Sequence, residues 1–153
     1  VAFSLLNNIL GGPAMNSRLN VAIRERYGFC YTIESQYTPL SDTGLFYIYA
    51  GIERDARDQC LELLHGELRR LGDTLLSSQQ LQGAKRQYIG QMAINNELSL
   101  NEMQSIGKAY LSFDHVDTLE EMQHDIESLN AKEIMNLAHD LFSPSTLSTL
   151  TYS

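Results

Sequence analysis

The apolar spacing of this chain changes period at Gly28. Ahead of it, Leu19, Ala22 and Ile23 recur at helical spacing behind a capping candidate at Asn16 or Ser17. Beyond it, Phe29 to Thr38 alternates, with Phe29, Tyr31, Ile33 and Tyr37 on one face and Thr32, Glu34 and Gln36 on the other. A glycine at such a junction can take the left-handed conformation that ends a helix. The last helical face then turns toward the first side chains of the strand. Arg24 and Tyr31, seven residues apart across the glycine, can therefore point into one space. Upstream, Gly11-Gly12-Pro13 stops an opening helix from Ala2 to Leu10, whose Ala2, Leu5, Leu6 and Ile9 share a face.

Downstream, Pro39, Ser41, Asp42 and Gly44 predict a turn, and Leu45 to Gly51 a second strand. Its evenly apolar run predicts a central place in an antiparallel sheet. The helical period then returns with Ala56, Cys60, Leu63, Leu64, Leu68 and Leu71, closed by Gly72. A further helix starts near Ser77 or Ser78, with Leu81, Ala84, Tyr88 and Met92 on one face. Three later starts carry capping signatures: Ser99 with Glu102, Thr118 with Glu121, and Asn130 with Glu133. Pro144 stops the last helix, and Thr146 to Tyr152 predicts a final strand. Strands and helices segregate along the chain, which predicts an α+β fold: an antiparallel sheet with several helices packed on one side.

A length of 153 residues, 43% of them hydrophobic and 20% charged, suits a single domain over residues 1–153 that buries a core without metal or disulfide staples. A chain that opens on an amphipathic helix without an initiator Met reads as the C-terminal half of something longer. The net charge of −8 argues against nucleic acid as a partner, which needs a basic face, and no run reaches the length of a membrane span. Cys30 and Cys60 are too few for a disulfide framework and read as packed thiols.

Reactive motifs are sparse. His65, His115, His124 and His139 form no H-x-x-E-H, H-E-x-x-H or H-x-x-x-H pair, so no metal ligand is assigned to this chain. There is no G-x-S-x-G elbow and no phosphate-cradling glycine loop. Arg24 and Tyr31 are what remains. Taken alone, they are an exposed helical arginine and a tyrosine packed on a sheet.

The flanking residues give the pair more weight. Ser17, Arg18, Leu19, Ile23, Arg24, Glu25, Gly28 and Tyr31, with Leu10, Gly11 and Gly12 before them, resemble the start of the C-terminal half-domain of the pitrilysin/insulinase-type zinc metallopeptidases, the processing-peptidase-like group included. Three departures are small: a glycine loop one residue longer than the common form, Cys30 at a position usually held by a small residue, and Phe29 in place of a common Leu.

The resemblance implies a half-domain that closes a chamber with a zinc-bearing half, on the same chain or on a partner subunit. Zinc, bound through H-x-x-E-H and a distal Glu, belongs to that other half, so this chain alone is expected to be inactive. Arg24 would grip peptide carbonyls. Tyr31 would bind substrate and support the tetrahedral intermediate, as a phenol placed near a developing oxyanion can. The implied partners are a peptide substrate and the zinc-bearing half. Some relatives keep the fold without the peptidase and serve as scaffold subunits of respiratory complexes, which is the alternative for this chain. The family reading also places a strand ahead of the first helix.

Overall fold

Gly11 lets the first helix, α1 (Ala2–Gly11), approach the first strand, β1 (Cys30–Pro39), more closely than a side chain would allow, and Gly12 lets the chain fold back on the last turn of that helix. A Cβ at Gly11 would lie 2.6 Å from the Ser35 backbone nitrogen, and one at Gly12 2.7 Å from the Asn8 carbonyl oxygen. Ser35 uses this closeness: its hydroxyl donates to the Asn7 carbonyl at 3.1 Å. The computed structural model describes residues 1–40, 42–96, 99–143 and 145–152, side chains at 99 and 101 excepted. The expected contributions of Ser41 to the turn, of the Ser99 cap and of Pro144 as a helix stop lie outside the described residues.

β1 and β2 (Gly44–Ile52) form a two-stranded antiparallel hairpin. One face packs against the helices. Ile33 and Ser35 are buried, Phe3 of α1 stacks on Tyr37 with ring centroids 4.0 Å apart, and Phe46 meets Phe142 at 5.4 Å. The other face is open, with Glu34, Gln36, Leu45, Tyr47 and Tyr49 exposed. The central position expected for the second strand is therefore not what forms. Its apolar run is split by the pleat, Phe46, Ile48 and Ala50 facing inward and the tyrosines outward.

Helix α2 (Arg57–Asp73) buries Cys60, Leu68 and Leu71 from the expected stripe. It ends at Asp73, one residue past the expected stop at Gly72. Gly72 packs closely against α6 (Ala131–Leu141), where a Cβ would lie 2.9 Å from the His139 Cα. Helix α3 (Ser78–Asn96) starts as expected, with reciprocal capping bonds: Gln80 N–H donates to the Ser77 hydroxyl at 3.2 Å, and Ser77 N–H to the Gln80 side chain at 2.9 Å. It packs on α1 and carries α4 (Ser99–Phe113) and α5 (Leu119–Ser128). Thr118 with Glu121 and Asn130 with Glu133 both form complete capping boxes.

The core joins these layers: Leu5, Leu6 and Leu10 of α1 with Leu19, Ile23, Ile33, Cys60, Leu68, Leu71, Ile126, Ile134 and Ala138. Each large aliphatic side chain there contributes about 1.5–3 kcal/mol by leaving water. Helices on one side of an antiparallel sheet are the α+β arrangement expected. The final strand is not seen among the described residues. Residues 147 to 152 have no ladder partners among the described residues, and Thr146 sits in a turn where its hydroxyl lies 2.8 Å from both the Leu141 and Ser143 carbonyls and donates to them. A β-branched alternating segment becomes a strand only where an edge accepts its backbone bonds.

Candidate functional site

The helix that carries Arg24 is not a regular α-helix. Residues Asn20–Glu25 are π-helical, a wider turn that often marks functional positions. Asn20 donates through its side-chain amide to the Ser17 hydroxyl at 2.8 Å, and the Val21 N–H donates to the Ser17 carbonyl at 3.0 Å, so Ser17 holds the first turn through both side chain and backbone. Ile23 points into the core, while Arg24 is half-buried beside it. The break then forms as the sequence suggests. Gly28 adopts φ 68° and donates its N–H to the Arg24 carbonyl at 2.9 Å, a left-handed helix terminus.

After the break the strand begins with a bulge. Cys30 pairs with Ile52 and Thr32 with Gly51, leaving Tyr31 as the extra residue. The bulge shifts the alternation by one. Cys30 becomes buried in register with Ile33 and Ser35, and Tyr31 moves to the exposed side with Thr32, Glu34 and Gln36. The expected face of Tyr31, shared with Ile33, is thereby corrected: Tyr31 stands 69% exposed at the open face of the hairpin. Its ring borders Gly51, whose missing side chain leaves that flank clear, a Cβ there being 3.7 Å from Tyr31 Cδ2.

Arg24 and Tyr31 thus lie on either side of one glycine, at the bulged end of the hairpin. The Arg24 guanidinium is near enough to act on the Cys30 thiol: burial pushes that thiol up, and the cation opposes it. Arg24 has no ion-pair partner among the described residues. Tyr31 presents its hydroxyl as a donor on the open face, and Arg24 carries its guanidinium on the helix that ends at the glycine break, near Cys30. The bulge and the π-helical turn are not visible in the sequence, since each is an insertion of one residue without a composition of its own.

Elsewhere the chemistry is thin. A cavity of about 330 Å³ lies on the helical side, lined by Asn8, Arg18, Gln80 and Gln87 among others, and takes no residue from the hairpin. Among the described residues, His115, Asp117 and Glu121 bring ligand atoms within 4.8 Å of one another. They sit on the surface at the start of α5, where the helix dipole disfavours a cation. The Glu121 carboxylate is already engaged by the Thr118 N–H at 2.8 Å and the Thr118 hydroxyl at 2.9 Å. The cluster is a poor zinc site. No helix among the described residues is long and apolar enough to cross a membrane.

Residues 1–88 match the family model described as the peptidase M16 inactive domain. An uncharacterized zinc protease of Bacillus subtilis is 30% identical over 139 residues, covering 91% of this chain and 34% of that protein. An uncharacterized zinc protease of Rickettsia felis is 31% identical over 142 residues, covering 93% of this chain and 34% of that one. The chain thus spans about a third of the length of these curated relatives. Among solved structures, a peptidase M16 inactive domain from Pseudomonas fluorescens superposes with a TM-score of 0.77 at 23% identity, over 91% of this chain and 33% of that one. A chain of complex III2 from Candida albicans gives the same TM-score at 19% identity, over 89% and 34% respectively.

Proposed function

Because this chain belongs to the peptidase M16 inactive-domain family, we propose that it forms the substrate-gripping half of a zinc endopeptidase, completed by a zinc-bearing half elsewhere in the parent protein. The observation that carries this reading is the placement of Tyr31. A bulge turns its phenol onto the open face of the hairpin, one glycine break away from a half-buried Arg24 that has no ion-pair partner among the described residues.

An extended peptide laid along that face meets two donors. The Arg24 guanidinium holds a backbone carbonyl through its fork of N–H groups. The Tyr31 hydroxyl donates to the scissile carbonyl oxygen as charge develops on it, and such a bond contributes most in the transition state. Zinc, when bound in the other half, activates the attacking water. His115, Asp117 and Glu121 do not suit that metal, so the residues of this chain bind, orient and donate.

The test is kinetic. In the purified parent protein, Tyr31→Phe removes one oxyanion donor and should lower kcat about 10²–10³-fold, while Arg24→Ala should raise KM as well. Circular dichroism should stay at wild type for both, since Tyr31 is exposed and Arg24 is outside the buried core. Wild-type rates in both variants would overturn the reading.

The likeness to a chain of complex III2 supports a second reading, a non-catalytic domain of the same fold that holds partners together. That reading expects no peptide hydrolysis from the parent and no loss of assembly in either variant.

A further inference from the structure

We propose that the cavity between α1, the loop that follows it and α3 binds a small ligand carrying a carboxylate next to an amide, with Arg18 as the anchor of the carboxylate. The site takes no residue from the hairpin, so it does not depend on the role given to Tyr31.

The lining sets the charge of the guest. In a chain of net charge −8, no acidic side chain among the described residues lines this cavity of about 330 Å³, and Arg18 is the one charged residue that does. The Arg18 Nη1 is buried and has no hydrogen-bond partner. Burial pulls the guanidinium down from its ordinary value, with Glu67 opposing and Arg70 adding. Glu67 does not satisfy it: that carboxylate is bonded to Arg70 at 2.7 Å and makes no ion pair with Arg18. A buried N–H without an acceptor is costly, and an incoming carboxylate supplies the acceptor in the planar geometry that a guanidinium matches.

The neighbouring groups favour the same kind of guest. The Ser17 hydroxyl accepts from Asn20 at 2.8 Å, which leaves its own O–H to donate. The Asn16 amide donates to the Gln87 side-chain oxygen at 2.7 Å, so Gln87 keeps an N–H to offer beyond its long contact to Asn8 Oδ1 at 3.5 Å. The first of these Gln87 bonds ties the loop to α3, and Asn8 ties α1 to α3 by donating to Gln91 at 2.6 Å. The walls are thus held before a ligand arrives, which lowers the cost of binding. Leu76 and Ala84 give the apolar side. Gly83 lines the cavity from within α3, and a Cβ built there meets nothing within 4 Å. A glycine inside a helix is less favourable than alanine, and here it leaves the space clear.

The experiment titrates the purified parent protein, by ligand-observed NMR, with acetyl-alanyl-alanine as the free acid and as its C-terminal amide. Wild type should bind the acid about ten- to a hundredfold more tightly, the range of hydrogen bonds to a charged group. Arg18→Gln should bring acid and amide close to parity. Gly83→Leu fills the cavity without removing a contact, so it should abolish binding of both while its melting temperature stays at or above that of wild type. A longer peptide with the same two C-terminal residues identifies the source. Equal binding means that chain ends enter, weaker binding means that a free small molecule is the guest, and either supports the site. Equal affinity for acid and amide in wild type overturns the proposal, as does acid binding that survives Gly83→Leu. So does inorganic phosphate that displaces the acid at equal concentration, or a wild type that binds neither form.

Discussion

Gly28 donates its backbone N–H to the Arg24 carbonyl at 2.9 Å while holding φ at 68°, and this bond sets where the helix stops and the strand begins. A Cβ at Gly28 meets nothing within 4 Å, so the position is constrained by backbone conformation and not by space. Gly28→Ala should then cost about 1–2 kcal/mol, the penalty of a left-handed L-residue, and Gly28→Asn less. Urea denaturation of the two variants measures the difference. Equal stability of Gly28→Ala and wild type would mean that the turn is not held in the left-handed region.

Two glycines of α2 should respond to alanine with opposite signs. Gly66 lies in the helix interior, and a Cβ added there meets nothing within 4 Å. Gly66→Ala should therefore stabilise by about 0.5–1 kcal/mol through helix propensity and unfolded-state entropy. At Gly72 an added Cβ would lie 2.9 Å from the His139 Cα, so Gly72→Ala must push α6 away and should cost about 1–3 kcal/mol. Thermal unfolding of both checks the pair. A stabilising Gly72→Ala would refute the close packing of α2 on α6.

The capping box of α5 predicts a pH effect of defined sign. The Thr118 backbone N–H, and then its hydroxyl, hold the Glu121 carboxyl below the usual glutamate range, with His115 adding a smaller pull. A carboxyl whose folded pKa is depressed stabilises the fold above its unfolded pKa, and loses that contribution as pH falls through the folded pKa. Glu121→Gln should therefore be less stable than wild type at neutral pH and should converge with it in acid. Denaturation midpoints measured across the acid range test this, and a constant offset would show that the charge on Glu121 is irrelevant.

Much of this is legible in the sequence because it is local. Helix starts at Ser77, Thr118 and Asn130 are written in hydroxyl or amide residues set three positions before Gln or Glu, and each forms its cap. The break at Gly28 and the hairpin are equally readable from period and turn chemistry. What escapes depends on distant partners. The side of the sheet that Tyr31 occupies is decided by a one-residue bulge opposite Gly51, and alternation counted along β1 puts it on the wrong face. Gly72 stands at the helix end as the sequence suggests, but its packing role shows only when α6 is seen against it, and residues 147–152 have the composition of a strand but no ladder partner among the described residues. Arg24 and Tyr31 are identifiable from their flanking motif, but their exposure comes only from the fold.

The two thiols give the last prediction. Burial pushes the Cys60 thiol up to about 11, with Cys30 adding to the shift, and burial also raises Cys30. The thiolate is the reactive form, so neither residue should be labelled quickly by an aromatic disulfide reagent in the folded protein at neutral pH. Labelling should follow unfolding, with a rate that rises with urea. The sign for stability is opposite to that of Glu121. A thiol whose folded pKa is raised favours the fold below its unfolded value, and that contribution is lost as pH climbs through the folded pKa of about 11. Cys60→Ala should therefore show a shallower alkaline loss of stability than wild type, on top of its cavity cost. Rapid labelling of Cys60 in the native protein, independent of urea, would contradict its place in the core between α2 and the start of the hairpin.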